Sequence, residues 1–313
     1  MTQQKITILG INGHVGHHAA KAFVAAGWDV TGFGRSNRHP VPGVRFVQGD
    51  ADSVADMRAA IGDSEVVFNG LNLPYPDWFE GRMEALYARV LEAMGQGRTM
   101  LFPGNIYNFA ARDRLLTPGL EQNAETPRGA VRVRVERMLE EAARRGDVQV
   151  IILRAGDFYG PESTDDWFSY VIMREVAKGK VAIPGAKGVG HAWAYLPDLG
   201  RAFERLAARR GEFGAHEIFH FAGNFVTPEE LGTAIAAAAP VPVKVSAFPW
   251  FLITLMGLAN PLMREIGRMG YLWQHPMALS DPRLDEILGP GFGTPFADAI
   301  RETVAPFFSR AAA

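Results

Sequence analysis

The residues best suited by type and spacing to do chemistry are three glycines near the N-terminus, Gly10, Gly13 and Gly16, in the run KITILGINGHVG. A strand that ends in glycine, with two more glycines at intervals of three and a helix behind them, is built to hold a pyrophosphate. Gly10 lets the chain leave the strand at a backbone angle closed to other residues. Gly13 lets the main chain approach the phosphates, and Gly16 lets the helix lie close to the sheet. The free N–H groups of the helix start then face the anion, with Asn12, His14 and Val15 filling the turn. Because the chain has 34 glycines, the triplet alone means little. Its meaning comes from its place, directly after a β-branched apolar run and before an alanine-rich helical stretch.

A second group of residues bears on which dinucleotide is held. NAD sites place an acid about 20 residues beyond the turn, where it accepts from the ribose 2′-hydroxyl. Here the run from Thr31 to Arg38, TGFGRSNR, has no acid, and Arg35, Ser36 and Arg38 offer charge and donors suited to a 2′-phosphate. The expected cofactor is NADP(H) in preference to NAD(H). His14, His17 and His18 share a helical face, but no carboxylate joins them, so no metal is expected.

The elements that must position these groups alternate. Strands are expected at Ile6–Leu9, Trp28–Phe33, Val44–Val47, Val66–Phe68, Thr99–Phe102 and Val148–Leu153, with helices at His14–Ala26, Val54–Ile61, Trp78–Met94 and Gly129–Arg145. That alternation implies an α/β fold, a doubly wound parallel sheet covered on both faces, which binds ligands at the carboxyl ends of its strands. After Leu153 the pattern loosens. Helices are expected at Trp167–Lys178, Pro197–Arg209 and Pro228–Ala239, the last capped by Thr227, and a strand at His216–Phe221. The expected division is a Rossmann dinucleotide-binding domain over residues 1–160, with 191–222 returning to it, and a smaller, mixed substrate-binding cap over 161–313.

Composition narrows the class. With 48% hydrophobic and 21% charged residues, 313 residues make an ordinary globular chain with room for a large core and a cap. Lys and Arg are scattered among Asp and Glu at a net charge of −2, which argues against a nucleic-acid or membrane-surface partner. The absence of cysteine excludes disulfides, thiolate metal sites and a cysteine nucleophile. The longest apolar stretch, Phe248–Met263, is broken by Pro249, Gly257, Asn260 and Pro261 and falls short of the ~20 residues of a membrane helix. No apolar signal core precedes the first strand, so a cytoplasmic location is expected.

Further landmarks follow in order: Gln48-Gly49-Asp50, then Arg154-Ala155-Gly156-Asp157-Phe158-Tyr159-Gly160-Pro161, then His191 to Asp198, then Phe219 to Leu231, then Leu284 to Thr294. Together with GINGHVG they resemble the extended and atypical short-chain dehydrogenases/reductases, the NAD(P)-dependent epimerase/dehydratase group, over essentially the whole chain. The resemblance implies that Asp50 and Ala51 lie by the adenine. It also implies that Asn69, Gly70 and Leu71 line the cofactor by their backbone, and that Asp157 and Phe158 pass the nicotinamide.

The catalytic positions depart from that family. There a Tyr, a Lys four residues later and a Ser or Thr after the fifth strand do the acid/base work. Arg128 stands at the Tyr position, Arg132 at the Lys position and Pro103 at the Ser/Thr position, with Gly104 and Asn105 beside the cofactor. Guanidinium stays protonated and gives up no proton, so neither arginine inherits the tyrosine's task. Arg132 suits the ribose hydroxyls; the alternative places both arginines on a solvated helix face. Tyr107 is the candidate proton donor, with Tyr75, Asn105 and His191 behind it. Arg174, Lys178 and Lys187 are candidates for a substrate diphosphate.

Three functions follow as expectations. The first is an atypical NAD(P)(H)-dependent oxidoreductase acting on a small carbonyl or related substrate. The second is a nucleotide-sugar epimerase or dehydratase, and the third a non-catalytic NADP-binding sensor or assembly protein. The partners expected are a small-molecule substrate and, optionally, a second copy in a homodimer.

Overall fold

A computed structural model describes residues 3–162 and 166–309. Its first half alternates strand and helix: β1 (Lys5–Leu9), α1 (His14–Ala25), β2 (Asp29–Gly34), β3 (Val44–Gln48), α2 (Val54–Ile61), β4 (Val66–Asn69), α3 (Arg82–Met94) and β5 (Arg98–Gly104). Next come β6 (Leu115–Leu116), α4 (Pro127–Arg144), β7 (Val148–Arg154), β8 (Asp157–Tyr159), β9 (Lys180–Ile183), β10 (His191–Tyr195), α5 (Leu196–Ala208) and β11 (His216–His220). The remainder is β12 (Asn224–Val226), α6 (Pro228–Ala238), β13 (Lys244–Ala247), α7 (Trp250–Met256), α8 (Pro261–Arg268), α9 (Tyr271–Gln274), β14 (Ala278–Leu279), α10 (Pro282–Leu288) and α11 (Phe296–Ser309).

Seven parallel strands form the central sheet in the order β11-β7-β5-β4-β1-β2-β3. The chain therefore winds outward in both directions from β1, and the crevice that such sheets use for ligands opens between the ends of β1 and β4. Alternation along each strand feeds two cores. Ile6, Ile8, Phe68 and Leu101 pack with Phe23 and Phe203 of α1 and α5, while Leu9, Val67, Met100 and Phe102 pack with residues of α2, α3 and α4. Burial on both faces is why these strands read as continuous apolar runs.

α1 and α5 lie unusually close, because a Cβ on Gly200 would stand 2.6 Å from the His18 carbonyl oxygen. Helix starts are fixed locally. The Thr126 hydroxyl accepts from Gly129 N–H ahead of Pro127, and Thr227 forms a reciprocal capping box with Glu230, as its sequence position suggests.

A third core, around Tyr159, Phe168, Trp193 and Trp273, belongs to the smaller mixed region. There β10 joins β8 and β12 in a three-stranded sheet, β13 pairs with β9, and β14 with β6. Within the span 191–222, it is β11 that enters the central sheet and α5 that covers α1, whereas β10 stays outside it.

Two expected helices differ. Trp167–Lys178 is not one helix: Phe168–Ile172 is a wide turn and Val176–Lys178 a tight one, because Phe168 is drawn into the ring cluster of Tyr159 and Trp193. α3 starts at Arg82 rather than Trp78, since Glu80 and Gly81 both take left-handed angles that break the helix. Among the described residues no helix is long and apolar enough to cross a membrane, and no group of three or more His, Cys, Asp or Glu is placed to hold a metal.

Candidate active site

The glycine turn has the shape its sequence asks for. Gly10 sits at φ +80°, and the Gly13 N–H donates to its carbonyl at 3.0 Å. A Cβ on Gly16 would lie 2.5 Å from that same oxygen, and one on Gly10 would lie 2.8 Å from the backbone of Gly70. The turns after β1 and β4 thus touch, and only glycine permits it. No side chain caps α1, and Gly13, His14, Val15 and Gly16 at its start line the cavity.

Asn12 ties this turn to the loop after β2: its Nδ2 donates to Ser36 O at 2.6 Å and its Oδ1 accepts from Arg38 N–H at 3.0 Å. Arg35, Ser36 and Arg38 are exposed on that loop, beside the turn rather than in the cavity wall. Asp50 Oδ1 accepts from Asp52 N–H in the turn after β3, and neither Asp50 nor Ala51 lines the cavity. Asn69 is buried under the turn with its Nδ2 unpartnered.

A cavity of about 1170 Å³ runs from the glycine turn into the cap. It brings together most of the residues singled out from sequence: Gly13, His14, Val15, Gly16, Gly70, Leu71, Pro103, Gly104, Asn105, Tyr107, Arg132, Asp157 and Phe158. Of the candidates for a diphosphate, Arg174 lines it and Lys178 and Lys187 do not; Lys180 does. The cap wall is largely apolar, with Trp167, Tyr170 and Phe248 joined by Ile253 of α7 and Met263 and Ile266 of α8.

The arginines at the start of α4 are not on a solvated face. Arg128 is fully buried, its guanidinium 3.9 Å from the Tyr75 ring centroid and its Nε 3.7 Å from Glu265. Aromatic faces and one carboxylate offset its desolvation, and Arg128 lies behind the cavity wall rather than in it. Arg132 reaches the cavity with its guanidinium about equally distant from Trp78 and Phe102, at 5.1 and 5.3 Å, and its Nε and Nη1 have no partner. Behind α4, Glu136 and Arg154 form a buried ion pair at 2.5 Å, which pins the helix to β7.

Tyr107 follows β5, and its hydroxyl lies 3.1 Å from that of Tyr75. Burial pushes the Tyr107 phenol well above its usual range; Tyr75 and the Asp157 charge act in the same direction, and Arg132 opposes them. Burial likewise raises Tyr75, against its hydrogen bond with Tyr107. Asp157, which also lines the cavity, has its Oδ2 2.8 Å from His191 Nε2. Nothing local in the sequence announces this pair, since its members are 34 residues apart.

The site suits a nicotinamide dinucleotide. The cradle at Gly10 and Gly16 is closed to any side chain, and Arg132 and Asn69 hold buried donors that the protein leaves unused.

The NAD dependent epimerase/dehydratase family model matches residues 6–221. Among solved structures, MoeE5 in complex with UDP-glucose and NAD superposes with a TM-score of 0.76 at 19% identity, covering 99% of this chain and 100% of that one. UDP-glucose 4-epimerase from Brucella ovis in complex with NAD gives 0.73 at 17%, covering 97% and 98%. UDP-N-acetylglucosamine 4-epimerase from Methanobrevibacter ruminantium M1, in complex with UDP-N-acetylmuramic acid, gives 0.75 at 16%, covering 99% and 100%. No curated protein matches in sequence.

Proposed function

Since the chain belongs to the NAD dependent epimerase/dehydratase family, we propose that it catalyses a nicotinamide-dependent oxidation or reduction at an alcohol or carbonyl carbon of a nucleotide-linked sugar. One observation carries this reading: a single cavity joins the glycine cradle to a cap-lined space large enough for a second nucleotide-sized molecule. The structural relatives that hold UDP-glucose or UDP-N-acetylmuramic acid support the substrate class. Arg174 and Lys180 are the cations in the wall available to a diphosphate.

When bound, the dinucleotide supplies or accepts the hydride. The residues of this chain do the rest. The turn from Gly10 to Gly16 and the start of α1 bind the diphosphate. Asn12 bonds the backbone of Ser36 and Arg38 on the exposed loop beside the turn, and the charge and donors of Arg35, Ser36 and Arg38 there support NADP(H) as the cofactor. Asp50 and Ala51 flank the adenine side, with Asn69, Gly70 and Leu71 along the middle. Arg132 takes the ribose hydroxyls with its two free nitrogens. Pro103, Gly104, Asn105 and Phe158 exclude water around the nicotinamide end, and Tyr107 donates a hydrogen bond to the substrate oxygen.

A second reading, a reductase of apolar carbonyl compounds, is favoured by the greasy wall that α7 and α8 contribute. Incubation with NADP⁺ or NADPH and panels of UDP-sugars and ketones, read by nicotinamide absorbance and product chromatography, separates the two. Interconversion or oxidation of a UDP-sugar is expected; turnover of ketones alone would replace the first reading with the second, and no turnover would end both. In the same assay Arg35→Ala is expected to weaken NADPH about tenfold relative to NADH, on the order of 1.4 kcal/mol. An unchanged ratio would remove the NADP(H) preference.

A further inference from the structure

The reaction needs a proton as well as a hydride, and the groups at the start of α4 do not provide one. Arg128 and Arg132 stay charged, and burial holds the Tyr107 phenol in its protonated form. His191 is buried on β10 and stacked on Trp273, with ring centroids 3.8 Å apart and planes within 9°.

Both ring nitrogens of His191 meet acceptors. Nδ1 lies 3.0 Å from the carbonyl oxygen of Leu272, and Nε2 lies 2.8 Å from Asp157 Oδ2. A carbonyl only accepts, so Nδ1 carries a hydrogen. An ionised carboxylate also only accepts, so the second contact requires another hydrogen between Nε2 and Oδ2. The pair therefore holds one proton more than a neutral imidazole and a carboxylate would together. The close approach that forms it is fixed by backbone, since a Cβ on Gly156 would stand 2.1 Å from the Ala192 carbonyl oxygen. Asp157 also lines the cavity, with 15% of its side chain exposed, and its charge reaches both Tyr75 and Tyr107.

We propose that Asp157 and His191 are the proton reservoir of this site, Asp157 as the catalytic acid and base and His191 as the positioning residue that resupplies it. The inference rests on the redox reading of the cavity given above. In the reducing direction a bound reduced dinucleotide would supply the hydride, with its electron pair, to the substrate carbonyl carbon. The Nε2 proton of His191 moves to Asp157, and the carboxyl so formed passes that proton to the substrate oxygen. The pair is left as a carboxylate and a neutral imidazole, and oxidation of an alcohol returns the proton by the same path. The Asp157 charge acts on Tyr75 after β4 and Tyr107 after β5, and the other charged groups of the same cavity wall are Arg132 on α4, Asp166, Arg174, Glu175 and Lys180.

Nitrogen NMR of histidine-labelled protein tests this without any substrate. At neutral pH both ring nitrogens of His191 are expected to carry hydrogen in the natural protein, and only Nδ1 in Asp157→Asn, whose amide can donate to Nε2. A singly protonated His191 in the natural protein would overturn the proposal. In single-turnover hydride transfer, Asp157→Asn is expected to lose at least about a hundredfold in rate while keeping dinucleotide affinity within about twofold. His191→Gln is expected to lose less and to shift the acid limb of the pH–rate profile. If the pair only fastens β8 to β10, both variants lower the melting temperature and leave the profile in place, which also overturns the proposal. Should no panel substrate react, the NMR result still stands or falls alone, so the two readings fail separately.

Discussion

The phosphate end of the cavity, between the turns after β1 and β4, and its opposite end, where α4 begins, differ in what the sequence has to supply. At the first the requirement is an absence of side chains: Gly10 and Gly16 are forced by contacts of 2.8 and 2.5 Å that any Cβ would make. At the second it is a set of side chains whose partners come from distant segments, such as Arg128 against Tyr75 and Glu265. A backbone requirement tolerates no substitution, whereas a side-chain requirement can be met again by other residues in the same space. That contrast fits a chain that carries the full glycine turn together with arginines at the two positions where the resemblance implies a Tyr and a Lys.

The sharpest test of the first half is Gly16→Val. The Gly10 carbonyl belongs to the turn itself, so the turn must open, and dinucleotide affinity measured by fluorescence titration is expected to fall more than a hundredfold. Overpacking of this kind costs about 1–3 kcal/mol in stability as well. Binding that survived the substitution would break the backbone account of that end.

A smaller effect compares the two ends by pH. His18, on α1 near the phosphate end, and His220, behind β7 beside Arg154, are both pushed down to about 4, burial being the first cause in each. In the unfolded chain they take up protons near pH ~6.5. The native form does so only near 4, so the unfolded chain binds more protons between those values, and stability falls as pH drops through that window. Each contributes on the order of 3 kcal/mol to the loss. Urea unfolding of His18→Gln and His220→Gln at neutral and acid pH is expected to show a flatter dependence for each. If only one flattens it, the other end relaxes on protonation, and the two are not equally rigid.

The smallest effect concerns Arg128. None of its guanidinium nitrogens has a hydrogen bond, and Glu265 keeps Arg268 as an alternative partner at 2.5 Å. Arg128→Met preserves the contact with Tyr75, and stability is expected to stay within about 1 kcal/mol. A loss above about 3 kcal/mol in thermal unfolding would mean that this end, too, depends on one irreplaceable residue.

The same contrast sets how much the sequence disclosed. The glycine turn, the alternation from β1 to β7 and the Thr227 cap were legible because each depends on residues adjacent in the chain. The burial of Arg128 depends on aromatics some fifty positions earlier, and the Asp157–His191 contact depends on how β8 and β10 pair, so neither leaves a local trace. Trp167–Lys178 misled for a related reason: its helical pattern gave way to the pull of Phe168 toward Tyr159 and Trp193. The apolar run in Phe248–Met263 was legible as too broken for a membrane span, but its role as cavity wall came only with the fold.

The close seat of α5 on α1 also bears on the order in which the chain is made. α1 is finished by residue 25, yet the helix that covers its outer face ends at Ala208 and the strand that completes the sheet ends at His220. A nascent chain that stops at residue 160 leaves Phe23 without Phe203, and β7 is left as an open edge. The nucleotide-binding half therefore cannot mature ahead of the rest during synthesis, as an independent N-terminal domain would. It must wait, with apolar surface uncovered, for more than two thirds of the protein to emerge.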